Sequence, residues 1–134
     1  MSDADRLRAA LERIPVVRLA VLFGSASRNR LRATSDLDVG VITTDGRDLP
    51  PELRVALERE TGRRVDLVSL TTAPPLLRFE VAQDGLLLLE RTPFAWADFR
   101  ARAMIDWWDW APTARMMHRV MKARLEQEAA RGPS

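Results

Sequence analysis

Leu22-Phe23-Gly24-Ser25, then ten intervening residues, then Asp36-Leu37-Asp38: this stretch decides how the 134-residue chain is read. Val16 to Phe23 is short, apolar and rich in β-branched residues, the composition of a buried strand. Gly24-Ser25 ends it abruptly, and a short helical segment is expected from Ala26. Leu37 to Thr43 reads as a second strand. Its period of two places Asp36, Asp38 and Gly40 on one face and Leu37, Val39 and Val41 on the other. A glycine at a strand end lets a ligand come close to the backbone. The free N–H groups of the turn that follows, with the Ser25 hydroxyl, suit a phosphate. Two carboxylates at one point repel each other, and a divalent cation relieves that repulsion. Magnesium favours one or two carboxylates completed by phosphate oxygens. A phosphate cradle and a metal clamp on adjacent strands is the arrangement that metal-assisted phosphoryl or nucleotidyl transfer needs.

The rest of the chain supplies the frame. Ser2, with Asp5 three residues on, predicts a capped amphipathic helix carrying Leu7, Ala10, Leu11 and Ile14, which Pro15 stops. Thr44-Asp45-Gly46 is a turn. Pro50-Pro51-Glu52 opens a helix that Gly62 closes. Arg64 to Leu70 is a third strand, a helix from Ala73-Pro74-Pro75 ends at Gly85, and Leu86 to Leu89 is a fourth strand. From Phe94 the pattern is helical, and Pro112 is expected to divide it into two C-terminal helices, with Ala129 to Ser134 a frayed tail. The order α-β-α-β-α-β-α-β-α-α predicts an α/β (α+β) class, a small mixed sheet of about four strands covered by helices. One domain over residues 1–134 is expected, with its core in 16–90 and a helical part in 93–131.

Composition narrows the function classes. With no cysteine and one histidine, His118, the chain offers no disulfide framework, thiol nucleophile or paired-imidazole zinc site. No Walker lysine loop, dinucleotide glycine fingerprint or nucleophile elbow is present. No apolar run approaches the roughly 20 residues of a membrane span, and the acidic start Met1-Ser2-Asp3-Ala4-Asp5 lacks the marks of a signal peptide, so a cytoplasmic protein with no membrane partner is expected. A net charge of +2 argues against direct nucleic-acid binding; the local cluster Arg28, Arg30 and Arg32 reads on composition first as a solvated arginine-rich loop and second as a group able to meet phosphate. His118 reads as a surface or packing residue, and Met116, Met117 and Met121 as fillers of core gaps. Trp107, Trp108 and Trp110 either cap the core or form a partner surface. Adjacent Trp107 and Trp108 cannot share one helical face, so one ring is expected in the open.

Leu22-Phe23-Gly24-Ser25-Ala26-Ser27-Arg28 followed by Ser35-Asp36-Leu37-Asp38 resembles the signature of the DNA polymerase beta-like nucleotidyltransferases, in particular the minimal ones and among these the MntA-like antitoxins of HEPN/MNT type VII toxin–antitoxin systems. The resemblance runs from about Val16 to Glu90. It implies the polymerase beta-like nucleotidyltransferase fold and a third carboxylate on a neighbouring strand, a place that Asp66 fills. By resemblance, Asp36, Asp38 and Asp66 hold two magnesium ions, and Asp66 takes the proton of the attacking hydroxyl. Gly24 and Ser25 then contact the phosphates of ATP, and Arg28 neutralises the leaving pyrophosphate. The implied activity is transfer of AMP from ATP to a hydroxyl, a tyrosine by family habit, on a cognate HEPN ribonuclease toxin held in a heteromeric complex. Ser27 and Asn29 depart from the Ala and Gly of the family motif; Asn29 tolerates the left-handed backbone that glycine would supply. The chain itself has no tyrosine, so an acceptor tyrosine must lie on another chain. Two other readings are an antitoxin that masks its toxin by binding alone and a nucleotidyltransferase acting on a small molecule or RNA.

Overall fold

The structure, a computed structural model, describes residues 1–24, 36–46 and 48–131. Helix α1 (Asp3–Glu12) starts where Ser2 and Asp5 close a reciprocal capping box: the Asp5 N–H donates to Ser2 Oγ at 3.1 Å, and the Ser2 N–H donates to Asp5 Oδ2 at 3.2 Å. Strands β1 (Val17–Phe23) and β2 (Leu37–Thr43) follow, then α2 (Pro51–Thr61), β3 (Val65–Ser69), α3 (Pro75–Asp84), β4 (Leu86–Glu90) and α4 (Ala95–Arg131). Gly62 ends α2 in the left-handed conformation, the usual glycine stop. Apart from the C-terminal helices, the expected elements among the described residues recur with shifts of one or two residues at some ends, α1 stopping at Glu12 short of Ile14, and the helical segment expected from Ala26 lies outside the described residues.

The sheet order is β3-β2-β1-β4, with β1 antiparallel to both neighbours and β2 parallel to β3, so the sheet is mixed as expected. Strand β1 is central and loses both faces to helices. Leu7, Leu11, Leu53 and Leu57 of α1 and α2 pack with Val17, Ala20, Leu22, Val39 and Val41 on one side. On the other, Val81, Ala95, Phe99 and Ala103 of α3 and α4 pack with Leu19, Val21, Phe23 and Leu70. This second face is also that of Asp38, because Asp38 is two residues from Gly40, whose missing side chain is replaced by Leu70. A Cβ at Gly40 would stand 2.6 Å from Leu70 Cδ2 and 2.9 Å from Cγ, and Leu70 is fully buried with no room to retreat. Gly40→Ala is therefore expected to destabilise by about 1–3 kcal/mol through overpacking, read as a shift in the chemical denaturation midpoint at an unchanged slope.

The C-terminal part differs from expectation in three respects. The two helices expected around Pro112 are one continuous helix, α4, with Pro112 inside it. A proline removes a single backbone donor and crowds the preceding turn; here Trp108, Asp109 and Pro112 itself are exposed, which leaves the turn room to adjust. The tail expected from Ala129 is helical through Arg131, and residues 132–134 lie outside the described residues. Met116, Met117 and Met121, expected in the core, are exposed, because α4 has left the body of the protein before it reaches them.

Candidate active site

The site face is built by register. The Leu37 N–H donates to the Arg64 carbonyl at 2.9 Å, starting the parallel β2–β3 ladder. That start sets Asp38 directly across from Asp66, and Leu37 across from Val65. Since Leu37 and Val65 are buried on the face covered by α1 and α2, Asp38 and Asp66 both project from the other. Neighbouring strands lie about 4.8 Å apart, so the two carboxylates are cross-strand neighbours of like charge, a pairing that by itself destabilises a sheet. Asp36 stands two residues before Asp38, at the mouth of the strand. Across β1, Phe23 pairs with Asp38 and belongs to the same buried face. The three acids thus grade from the half-buried Asp38 to the exposed Asp36 and Asp66.

Gly24 completes the arrangement. It has φ +73°, and a Cβ built on it would collide with Asp38 Oδ2. The strand-end glycine thus allows a turn that L-residues resist, and it leaves the space that the Asp38 carboxylate fills. Ser25 and Arg28, the other two residues expected to meet phosphate, lie outside the described residues. Asp66 lies on an edge strand, where an acid facing water needs no special explanation, yet its charge reaches Asp38.

Burial raises the Asp38 pKa above the ordinary carboxylate value, and the charges of Asp66 and then Asp36 raise it further. Among the described residues no ion pair reaches any of the three acids. A folded pKa above the unfolded one means that Asp38 favours folding when protonated, and that this advantage is lost as pH rises through the folded value. Asp38→Asn is therefore expected to melt higher than the wild type near neutral pH without added metal. The gap should close as pH falls below the ordinary carboxylate range, as a series of thermal melts across pH would show.

The donor set suits a hard divalent cation: carboxylate oxygens, one of them held half-buried, with no protein cation competing among the described residues. Among those residues no three acidic or imidazole side chains already stand together as a metal cage. Substrate phosphate oxygens and water would fill the remaining positions, as is usual for magnesium.

Sequence reasoning passed over Leu70, which fills the space over Gly40 two residues along the strand from Asp38, although a glycine inside a strand was a signal of close approach at Gly40. The aromatic residues divide. Trp107 stacks on Phe79 of α3 with centroids 5.2 Å apart, while Trp108 is 68% exposed, as the adjacency of the two rings requires. No helix among the described residues is long and apolar enough to cross a membrane.

The described residues thus form a mixed sheet that sets Asp38 across from Asp66 and beside a left-handed glycine at the end of a central strand. The sequence profile of the family described as "Polymerase beta, Nucleotidyltransferase" matches residues 5–94. The "Putative protein adenylyltransferase" of Methanocaldococcus jannaschii is 32% identical over 75 residues, which span 54% of this chain and 81% of the relative. Among solved structures, a chain of a toxin–antitoxin structure with AMP-PNP superposes with a TM-score of 0.74 at 25% identity, over 90% of this chain and 99% of that one. A chain from the complex of the tri-AMPylated Shewanella oneidensis HEPN toxin with MNT antitoxin shares the fold, with a TM-score of 0.67 at 24% identity over 89% and 96% of the two chains. The chain belongs to the polymerase beta nucleotidyltransferase family.

Proposed function

We propose that this chain is a magnesium-dependent protein adenylyltransferase, an antitoxin that moves AMP from ATP to a hydroxyl of a cognate HEPN toxin in the cytoplasm and so silences it. The observation that carries the reading is the register of Asp38 with Asp66, with Asp36 at the strand mouth, in a chain of this family. The name of the Methanocaldococcus jannaschii relative and the AMP-PNP of the toxin–antitoxin neighbour support protein as acceptor and ATP as donor.

In this reading Asp36 and Asp38 hold magnesium, with Asp66 completing one of two sites. The metal supplies charge neutralisation along the triphosphate and makes the attacking hydroxyl more acidic. Gly24 leaves the space that the Asp38 carboxylate occupies, and the triphosphate is contacted by Gly24 and Ser25. The toxin hydroxyl oxygen attacks the α-phosphorus, and the bond from that phosphorus to the bridging oxygen breaks. Pyrophosphate departs beside Arg28, and the hydroxyl proton passes to the Asp66 carboxylate.

The test is intact-mass spectrometry of the HEPN partner after incubation with this protein, magnesium and ATP. One or more AMP-sized increments are expected. An unchanged mass in a complex that still forms would replace the transferase reading with an antitoxin that acts by masking.

A further inference from the structure

Helix α4 has two halves of different character. Its buried residues are Ala95, Phe99, Ala103 and Ala111, and none follows Ala111. The 20 residues from Pro112 to Arg131 then run on as an arm about 30 Å long. Helices in proteins draw most of their stability from packing an apolar face, and this stretch packs none on the body of the protein. The arm carries such a face. Trp107, Ala111, Ala114, His118, Met121 and Leu125 follow one another at steps of three and four, the spacing of a single helical stripe. Two shallow clefts run end to end along the stripe and meet at His118. Met121 and Leu125 are 61% and 62% exposed. The stripe begins at Trp107, which stacks on Phe79, so it continues a surface anchored to the body of the protein.

Charge indicates what covers it. Between Pro112 and Arg131 five basic residues stand against two acidic ones, Glu126 and Glu128. Arg115, Arg119 and Lys122 line the clefts beside the apolar side chains, against the single acid Glu126. A second copy of this chain would bring the same basic excess against itself, whereas an acidic partner would neutralise it. Methionine side chains adapt to the shape of a partner surface.

We infer that the arm of α4 is the docking surface for the polypeptide substrate, and that it receives an apolar helical face flanked by acidic residues. The inference rests on the proposed transfer to a HEPN protein only for the identity of that partner. Pro112 at the root of the arm removes one backbone hydrogen bond and gives the helix a place to bend as the partner is brought to the acidic site.

The test uses the full chain. Met121→Glu with Leu125→Glu places charge in the stripe at residues that pack on no part of the body, so the melting temperature should be unchanged. Titration calorimetry with the HEPN partner is expected to show binding weakened about 100-fold or more. Arg115→Glu with Lys122→Glu should weaken binding at low salt and flatten the loss of affinity that salt causes in the wild type. The Asp36→Asn, Asp38→Asn variant should bind as the wild type does, which reads docking apart from chemistry; a wild-type chain that docks the HEPN protein yet transfers no AMP would count against the transferase reading alone. Affinity of the stripe variant within about two-fold of wild type would overturn the docking assignment. So would a wild-type chain that does not bind the HEPN protein, or one that sediments alone as a dimer which the stripe variant turns into a monomer.

Discussion

Replacing Asp36 and Asp38 together by asparagine should leave a folded protein that transfers no measurable AMP. The size of the loss follows from where charge accumulates. The triphosphate and the attacking oxygen are both electron-rich, and the carboxylates are the groups able to hold cations against them. Losing that support removes several kcal/mol of transition-state stabilisation, which at about 1.4 kcal/mol per decade is a rate at least roughly a thousand-fold lower. Stability should move the other way. Asp38 is held half-buried beside Asp66 and Asp36, an arrangement whose charged form opposes folding. The double variant should thus melt at or above the wild-type temperature while the mass of the HEPN partner stays unchanged. This opposition separates chemistry from folding in one preparation. Transfer at the wild-type rate by the double variant would remove the carboxylates from the mechanism.

The acidic face was readable from the sequence because alternation is local. Once Leu37, Val39 and Val41 are taken as core, Asp36 and Asp38 have one side left to occupy. The capping box at Ser2 and the glycine stop at Gly62 are local in the same sense. The placing of Asp66 needed more, namely that β2 and β3 lie side by side, run parallel and pair without a shift. The family resemblance supplied the expectation of that neighbour; the alternation of Val65, Asp66 and Leu67 supplied only the face. Contacts made across the fold left fainter traces. Leu70 over Gly40 joins residues far apart in sequence, and no periodicity records it. The arm was misread for a related reason. A stripe of methionine and leucine shows that something covers one helical face, not that the cover belongs to the same chain. Pro112 was given the strength of a helix breaker, whereas a proline inside a helix removes one backbone hydrogen bond and kinks a helix as well as breaking it.

Gly24→Ala is expected to cost the protein most of its activity, and two other glycines show why. Gly24, Gly46 and Gly62 all have positive φ, at +73°, +67° and +67°. An alanine at any of them meets the same backbone penalty, about 1–2 kcal/mol. At Gly46 and Gly62 the added methyl group enters open space, with no heavy atom within 4 Å. At Gly24 it meets Asp38 Oδ2, and the carboxylate must turn away or the strand end must shift. Gly46→Ala and Gly62→Ala should therefore lose stability alone, with AMP transfer kept near wild type. Gly24→Ala should lose a similar amount of stability and, in addition, roughly 100-fold or more in kcat, since an ångström of misplacement at a reacting centre has that effect. Comparing the three by thermal melts and by single-turnover AMP transfer isolates the contact, because the backbone strain is common to all. If the three variants fell equally in activity, Gly24 would be a turn residue and nothing more. If Gly24→Ala alone fell, the strand-end glycine would be acting on the chemistry through the position of one carboxylate.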